Sequence, residues 1–275
     1  MQKINLQNMS MKKKLLIVLP VVALLIVGAI FLFNKNKKPA AVANQTVTKK
    51  KVQSPVNVIA VAERPYLSLE PSADGHYITI TVAEVKKTAS QLDYEMEYQT
   101  GSMLQGFGGL IKLDKIPVSD KKLFGSQSAG GAITYHEDIQ GGNLLAQFTG
   151  SENYAVKSAW RYFTNSGKVS EFSSQDTKFT IKNQELSKYS YIVIYNSPGY
   201  PSGLKGEVIS DPYVVTTEKS LKTISSNFEV SIRASEDAQV MGYDGSKWQK
   251  MDSKYSDGVV KASGPIMDVY LLIKK

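Results

Sequence analysis

Leu15 to Phe33 (LLIVLPVVALLIVGAIFLF) is a run of 19 residues without a single charge. At about 1.5 Å of rise per residue, a helix of this length reaches about 30 Å, the thickness of a bilayer's hydrocarbon core. Pro20 and Gly28 would weaken a helix in water but are tolerated in membrane helices. The segment therefore reads as a transmembrane helix, with the lipid bilayer as its partner. It has two possible fates. Lys12, Lys13 and Lys14 form the basic head of a signal sequence, and Ala41-Val42-Ala43 has the small-x-small spacing of a cleavage site. The apolar run nevertheless exceeds the usual length of about 7–15 residues, and Lys35, Lys37 and Lys38 stand between it and the alanines. An uncleaved, single-pass signal anchor is the expectation. Lys3, Lys12, Lys13 and Lys14 before the span are nearly balanced by Lys35, Lys37, Lys38 and Lys49–Lys51 after it, so charge alone does not orient it. A short basic head followed by a long C-terminal region does, putting residues 1–14 in the cytoplasm and 34–275 outside.

Net charge is misleading until divided along the chain. The 33 Lys+Arg and 25 Asp+Glu sum to +8, yet residues 1–51 hold ten lysines and no acid. Residues 52–275 then carry 23 basic and 25 acidic side chains, a net of −2, which removes the electrostatic case for nucleic acid. Cysteine is absent, so there is no disulfide framework, thiolate metal site or cysteine nucleophile. The two histidines, His76 and His136, are too few for a multi-histidine metal centre, and no cofactor is implied. Residues 34–56 lack sustained periodicity and are bracketed by Pro39 and Pro55, as in a tether. Their lysines are either solvated or in contact with lipid head groups or wall polymers.

Beyond Tyr66 the pattern is β throughout. Gln91–Gln99 puts Leu92, Tyr94, Met96 and Tyr98 on one face and Asp93, Glu95, Glu97 and Gln99 on the other, as in an antiparallel sheet with one wet face. Tyr77–Val85, Ala132–His136, Asn143–Phe148, Tyr154–Phe163, Lys178–Lys182 and Ser190–Tyr195 continue the series, with turn clusters between them. The fold class is all-β: a transmembrane helix, a linker, an antiparallel β-sandwich over 57–216 and a small β domain over 217–275. Asp211-Pro212 and Thr216–Ser220 form the expected joint. Gly101–Gly109 (GSMLQGFGG) and Ser126–Gly131 read as long flexible tips.

In the last unit, Tyr243-Asp244-Gly245-Ser246-Lys247-Trp248, then Ser256-Asp257-Gly258-Val259, then Tyr270-Leu271-Leu272, are two Asp-Gly hairpins and a closing strand. Asp-Gly favours a type I′ turn. Residues 240–275 resemble the closing strands of ZU5-like domains of bacterial surface proteins, departing from them at Pro265-Ile266-Met267-Asp268. The resemblance implies a structural role. Together with the anchor, residues 123–148 are similar to signal-anchored extracytoplasmic proteins of small-genome bacteria. That likeness implies location only.

Few residues promise chemistry. His136-Glu137-Asp138 is the densest cluster of ligating groups, but neighbours on a strand point to opposite faces, so a turn is the simpler reading. His76, after Asp74-Gly75, reads as a turn residue. Asp93, Glu95 and Glu97 share a face at about 6–7 Å spacing, either as solvated charges opposite Lys157 and Arg161 or as hydrolase carboxylates. Ser119-Asp120-Lys121-Lys122 and Ser202-Gly203-Leu204-Lys205 match Ser-x-x-Lys without starting a helix. Surface recognition remains, and Tyr195, Asn196 and Tyr200 in a turn-rich loop are the candidate binding residues. The expected role is binding or scaffolding of a glycan, cell-wall polymer or protein, without catalysis. The alternatives are a glycan hydrolase using Asp93, Glu95, Glu97 or Glu137, and a subunit of an export or pilus-like assembly with an unpaired sheet edge.

Overall fold

A computed structural model describes residues 55–275, which belong to one compact unit, Gln53–Lys275. The Leu15–Phe33 run lies outside the described residues. Among those described, no helix is long and apolar enough to cross a membrane. The unit is all-β and its sheets are antiparallel. A nine-stranded sheet runs in the order β16 (Trp248–Lys250), β15 (Ala238–Tyr243), β19 (Val269–Lys274), β13 (Tyr213–Thr217), β12 (Tyr191–Asn196), β9 (Tyr154–Thr164), β8 (Ile139–Thr149), β3 (Gln91–Thr100), β4 (Met103–Lys112). A three-stranded sheet, β1 (Tyr66–Pro71), β2 (Tyr77–Glu84) and β5 (Val118–Leu123), packs on one face. A five-stranded sheet packs on the other: β10 (Glu171–Ser173), β11 (Phe179–Lys182), β14 (Phe228–Arg233), β18 (Val259–Gly264) and β17 (Asp252–Ser256). A ribbon of β6 (Gly125–Gln127) and β7 (Ile133–Tyr135) completes the strands.

This layering explains two kinds of sequence pattern. Strand β3 alternates because only its Leu92, Tyr94, Met96 and Tyr98 face is covered, by Leu67, Leu69, Ile78, Ile80 and Val82 of the small sheet. Strands β12 and β19 are continuous apolar runs because both faces are covered. Val193, Tyr195, Val269 and Leu271 belong to that first core, while Ile192, Ile194, Tyr270 and Leu272 belong to the second, with Phe179, Phe228 and Ile232. A strand buried on both sides has no reason to alternate.

The expected joint at 211–220 falls inside the sheets. The pairings β11–β14 and β13–β19 both cross residue 216 and bind the two segments into one unit. Only the β9–β12 pairing connects strands ending by Thr164 with those beginning at Glu171. Hydrogen bonding thus changes hands near residue 165 instead.

Two hairpins close on the same turn. In the β1–β2 hairpin Ser72 Oγ donates to Asp74 Oδ1, which also accepts from the His76 amide at 3.1 Å, while the Tyr77 amide donates to Ser72 Oγ at 3.0 Å. In the β10–β11 hairpin Ser174, Asp176, Lys178 and Phe179 repeat each bond. Of the two Asp-Gly turns, Asp257-Gly258 has both residues at positive φ, as type I′ requires. At Tyr243–Trp248 the Asp244 amide bonds the Lys247 carbonyl, so the central pair is Gly245-Ser246, and only Gly245 has positive φ. That is the type II′ pattern, a correction to the expected turn.

A second correction concerns Gly101–Gly109. Gly101 does sit in a turn, but most of the stretch is strand β4, ten residues paired in continuous register with β3 from Thr100↔Met103 to Gln91↔Lys112. The glycines serve packing: a Cβ on Gly109 would lie 2.5 Å from the Tyr94 hydroxyl.

Candidate functional site

The loop residues expected to bind are mostly interior. Tyr195 is 1% exposed. Its hydroxyl donates to the Leu67 carbonyl at 3.2 Å and accepts from the Leu69 amide at 3.3 Å, and burial pushes the phenol well above its ordinary pKa. It pins the edge of β1 to β12, joining two layers. Asn196 donates to Asp176 Oδ2 at 3.0 Å and Asp211 Oδ2 at 3.3 Å, fastening its own loop to the second core. Tyr200 is buried, edge-on to Trp248 at 5.8 Å, while the Trp248 indole donates to the Pro201 carbonyl at 3.0 Å. The loop's tyrosines are taken up by packing because the apolar run YIVIY places Tyr195 on the same face as Val193, toward the first core.

Asp93, Glu95 and Glu97 lie on the uncovered face of β3, as the alternation predicts. Lys157 and Arg161 are not their cross-strand neighbours: β8 intervenes, and Lys157 pairs with Leu145 and Arg161 with Gly141. The Ser-x-x-Lys matches dissolve in a similar way. Ser119 hydrogen-bonds Thr81, and Ser202 is held by Glu84 through its amide and hydroxyl. Where the surroundings move a carboxylate clearly, they move it down. Hydrogen bonds from Ser72 lower Asp74, and those from the Lys87 ammonium lower Glu152. For Asp176, burial raises the pKa, but hydrogen bonds from Ser174, Asn196, Lys178 and Tyr213 outweigh it. No cluster of three or more His, Asp or Glu suited to a metal occurs among the described residues.

One site does assemble residues that are remote in sequence. At one end of the nine-stranded sheet, the β1–β2 turn, the link from β7 into β8, and the ends of β9 and β12 enclose an open groove of about 790 Å³. It is lined by His76, His136, Glu137, Asp138, Tyr162 and Tyr191, among others. Both histidines of the chain are therefore at one site. His76 stacks on Tyr135, with ring centroids 3.8 Å apart, and Tyr135 is 40% exposed. His136 Nδ1 hydrogen-bonds the Tyr98 hydroxyl at 2.9 Å. Asp138 takes positive φ, and the carbonyls of Glu137 and Asp138 accept from Thr100 Oγ1 and the Gly101 amide, leaving both carboxylates on the exposed rim. Tyr162 donates its hydroxyl to the Gly75 carbonyl at 3.0 Å and so fixes the turn that carries His76. Gly75 is required there: its φ is +72°, and a Cβ would strike the Tyr191 ring. Flat rings beside exposed carboxylate acceptors can stack on and hydrogen-bond a polar ligand with a planar or sugar-like face. Comparison of the chain with protein-family models, curated proteins and solved structures finds no match.

Proposed function

We propose that this chain is a single-pass membrane protein of the cell envelope. Leu15–Phe33 anchors it with the N-terminus in the cytoplasm, and the all-β body is displayed outside for non-enzymatic binding or scaffolding. The ligand is a glycan or cell-wall polymer, held in the His76–His136 groove. The C-terminal strands close the body in a structural role, as the ZU5-like resemblance implies. One observation carries the binding reading: His76, stacked on the partly exposed Tyr135, lines a groove whose rim offers the Glu137 and Asp138 carboxylates.

The test is calorimetric titration of the full chain in detergent with soluble wall oligosaccharides. Tyr135→Ala removes the ring against which His76 is stacked, a contact worth about 0.5–1.5 kcal/mol, and should weaken binding by up to about tenfold with the fold unchanged by circular dichroism. Unaltered affinity in Tyr135→Ala and His76→Ala would contradict the groove. Turnover of the oligosaccharide that is lost in Glu137→Gln would install the hydrolase reading in its place.

A further inference from the structure

The nine-stranded sheet ends at β4, and no described strand pairs with its free side. An edge of ten residues is long, and this one carries none of the usual protections. MLQGFGGLIK has no proline and one charge, at its last position. It also exposes three large apolar side chains, Met103 (59%), Leu104 (65%) and Leu110 (54%). The β3–β4 hairpin turns on Gly101, with φ +52°, and Ser102, between the paired Thr100 and Met103. Counting alternate pairs from that closing pair, the backbone groups of Leu104, Gly106, Gly108 and Leu110 point away from β3.

We infer that β4 pairs with β4 of a second copy of this chain, antiparallel, about a two-fold axis through Phe107. The strand is self-complementary in that register. Leu104 meets Leu110 of the other copy twice, Gly106 meets Gly108 twice, and Met103 meets Ile111. The outward-pointing backbone groups fall in register with one another, and the two exposed leucines cover each other. An isologous contact needs this symmetry of pattern, and a one-residue slip would set leucine backbone groups against positions that point the other way. Glu95 and Glu97 do not prevent it. They lie one strand back from the edge, so the acidic rows of the two copies are three strand spacings apart, about 14 Å, beyond the Debye length of about 8 Å at physiological salt. The surface is separate from the groove, and the inference does not rest on what the groove binds.

The chain lacks cysteine, so introduced thiols report the register directly. Full-length Phe107→Cys in membranes, under mild oxidation, should form a disulfide-linked dimer, because in this register residue 107 faces itself across about 4.5–5.5 Å. Phe107 is half-buried near Tyr98 and Phe124, so a surface pair provides the second test. Chains with Leu104→Cys and chains with Leu110→Cys should each stay uncrosslinked alone and crosslink when coexpressed, with a yield at least about tenfold that of either alone. Absence of crosslinks in both experiments, with folded variants, would overturn the inference and leave the edge for a strand of different sequence. Self-crosslinking of Gly106→Cys or Gly108→Cys in preference to Phe107→Cys would overturn the register.

Discussion

Tyr195→Phe separates a core role from a binding role with one atom. The hydroxyl is the bridge between β12 and the edge of β1, accepting from the Leu69 amide and donating to the Leu67 carbonyl. Both leucines are fully buried. Removing the oxygen strands a buried donor entirely, at a cost of about 1–3 kcal/mol. The Leu67 carbonyl retains a long contact from Ser197 Oγ at 3.5 Å, so its loss is smaller. The sum is about 2 kcal/mol. For a body of this size that is a fall in Tm of about 4–8 °C. Equilibrium urea denaturation of the full chain in detergent, followed by the fluorescence of Trp160 and Trp248, reads the change as a lower midpoint at constant slope. Oligosaccharide affinity measured below the transition should not change. A midpoint within about 0.3 kcal/mol of wild type, or lost affinity without lost stability, would refute the assignment of Tyr195 to the core.

Three further outcomes follow from the packing. Gly109→Ala forces a Cβ into the Tyr94 ring and should destabilise by about 1–3 kcal/mol, whereas Gly108→Ala meets the Tyr94 carbonyl at 3.0 Å and Glu95 Cγ at an ordinary 3.9 Å and should cost less than about 1 kcal/mol; thermal denaturation of the two variants side by side checks the contrast. Asp176 has a folded pKa below its unfolded value near 3.9, so its contribution is present above that value and is lost as pH falls through the folded pKa. Asp176→Asn should therefore lower stability at neutral pH and flatten the loss below about pH 4, read from denaturation midpoints across pH 2–7. Glu95→Gln together with Glu97→Gln sits on the uncovered sheet face and should leave the denaturation midpoint within about 0.5 kcal/mol of wild type; a larger fall would mean that these carboxylates hold the fold.

What the sequence made legible depended on how many faces of a strand are covered. Alternation in Gln91–Gln99 declared its inner and outer residues because one side is wet. The run YIVIY around Val193 declared burial, yet Tyr195 is easily read as a surface tyrosine because the Pro-Gly turn beside it resembles an exposed loop. Strand β4 is hidden by its glycines, whose reason lies in Tyr94 on the neighbouring strand and not in a turn. The expected joint at 211–220 lies within one unit because β11, before residue 216, pairs with β14 after it, a non-local fact. The groove is hidden for the same cause: His76 and His136 read as separate turn residues, 60 positions apart, until two hairpin ends meet at one end of the sheet. One repeat went unread in the sequence and emerges from the bonds. Ser-x-Asp followed three residues later by an aromatic occurs at Ser72–Tyr77 and again at Ser174–Phe179, and each builds the same turn.

Display of this body outside the membrane is the central claim, and protease accessibility on intact cells tests it most directly. With a tag placed after Lys275, external protease should remove the tag while a membrane-protected fragment containing Leu15–Phe33 survives. A tag that stays protected until the cells are lysed, under conditions that digest a known surface protein, would contradict the outward topology and with it the envelope-binding role.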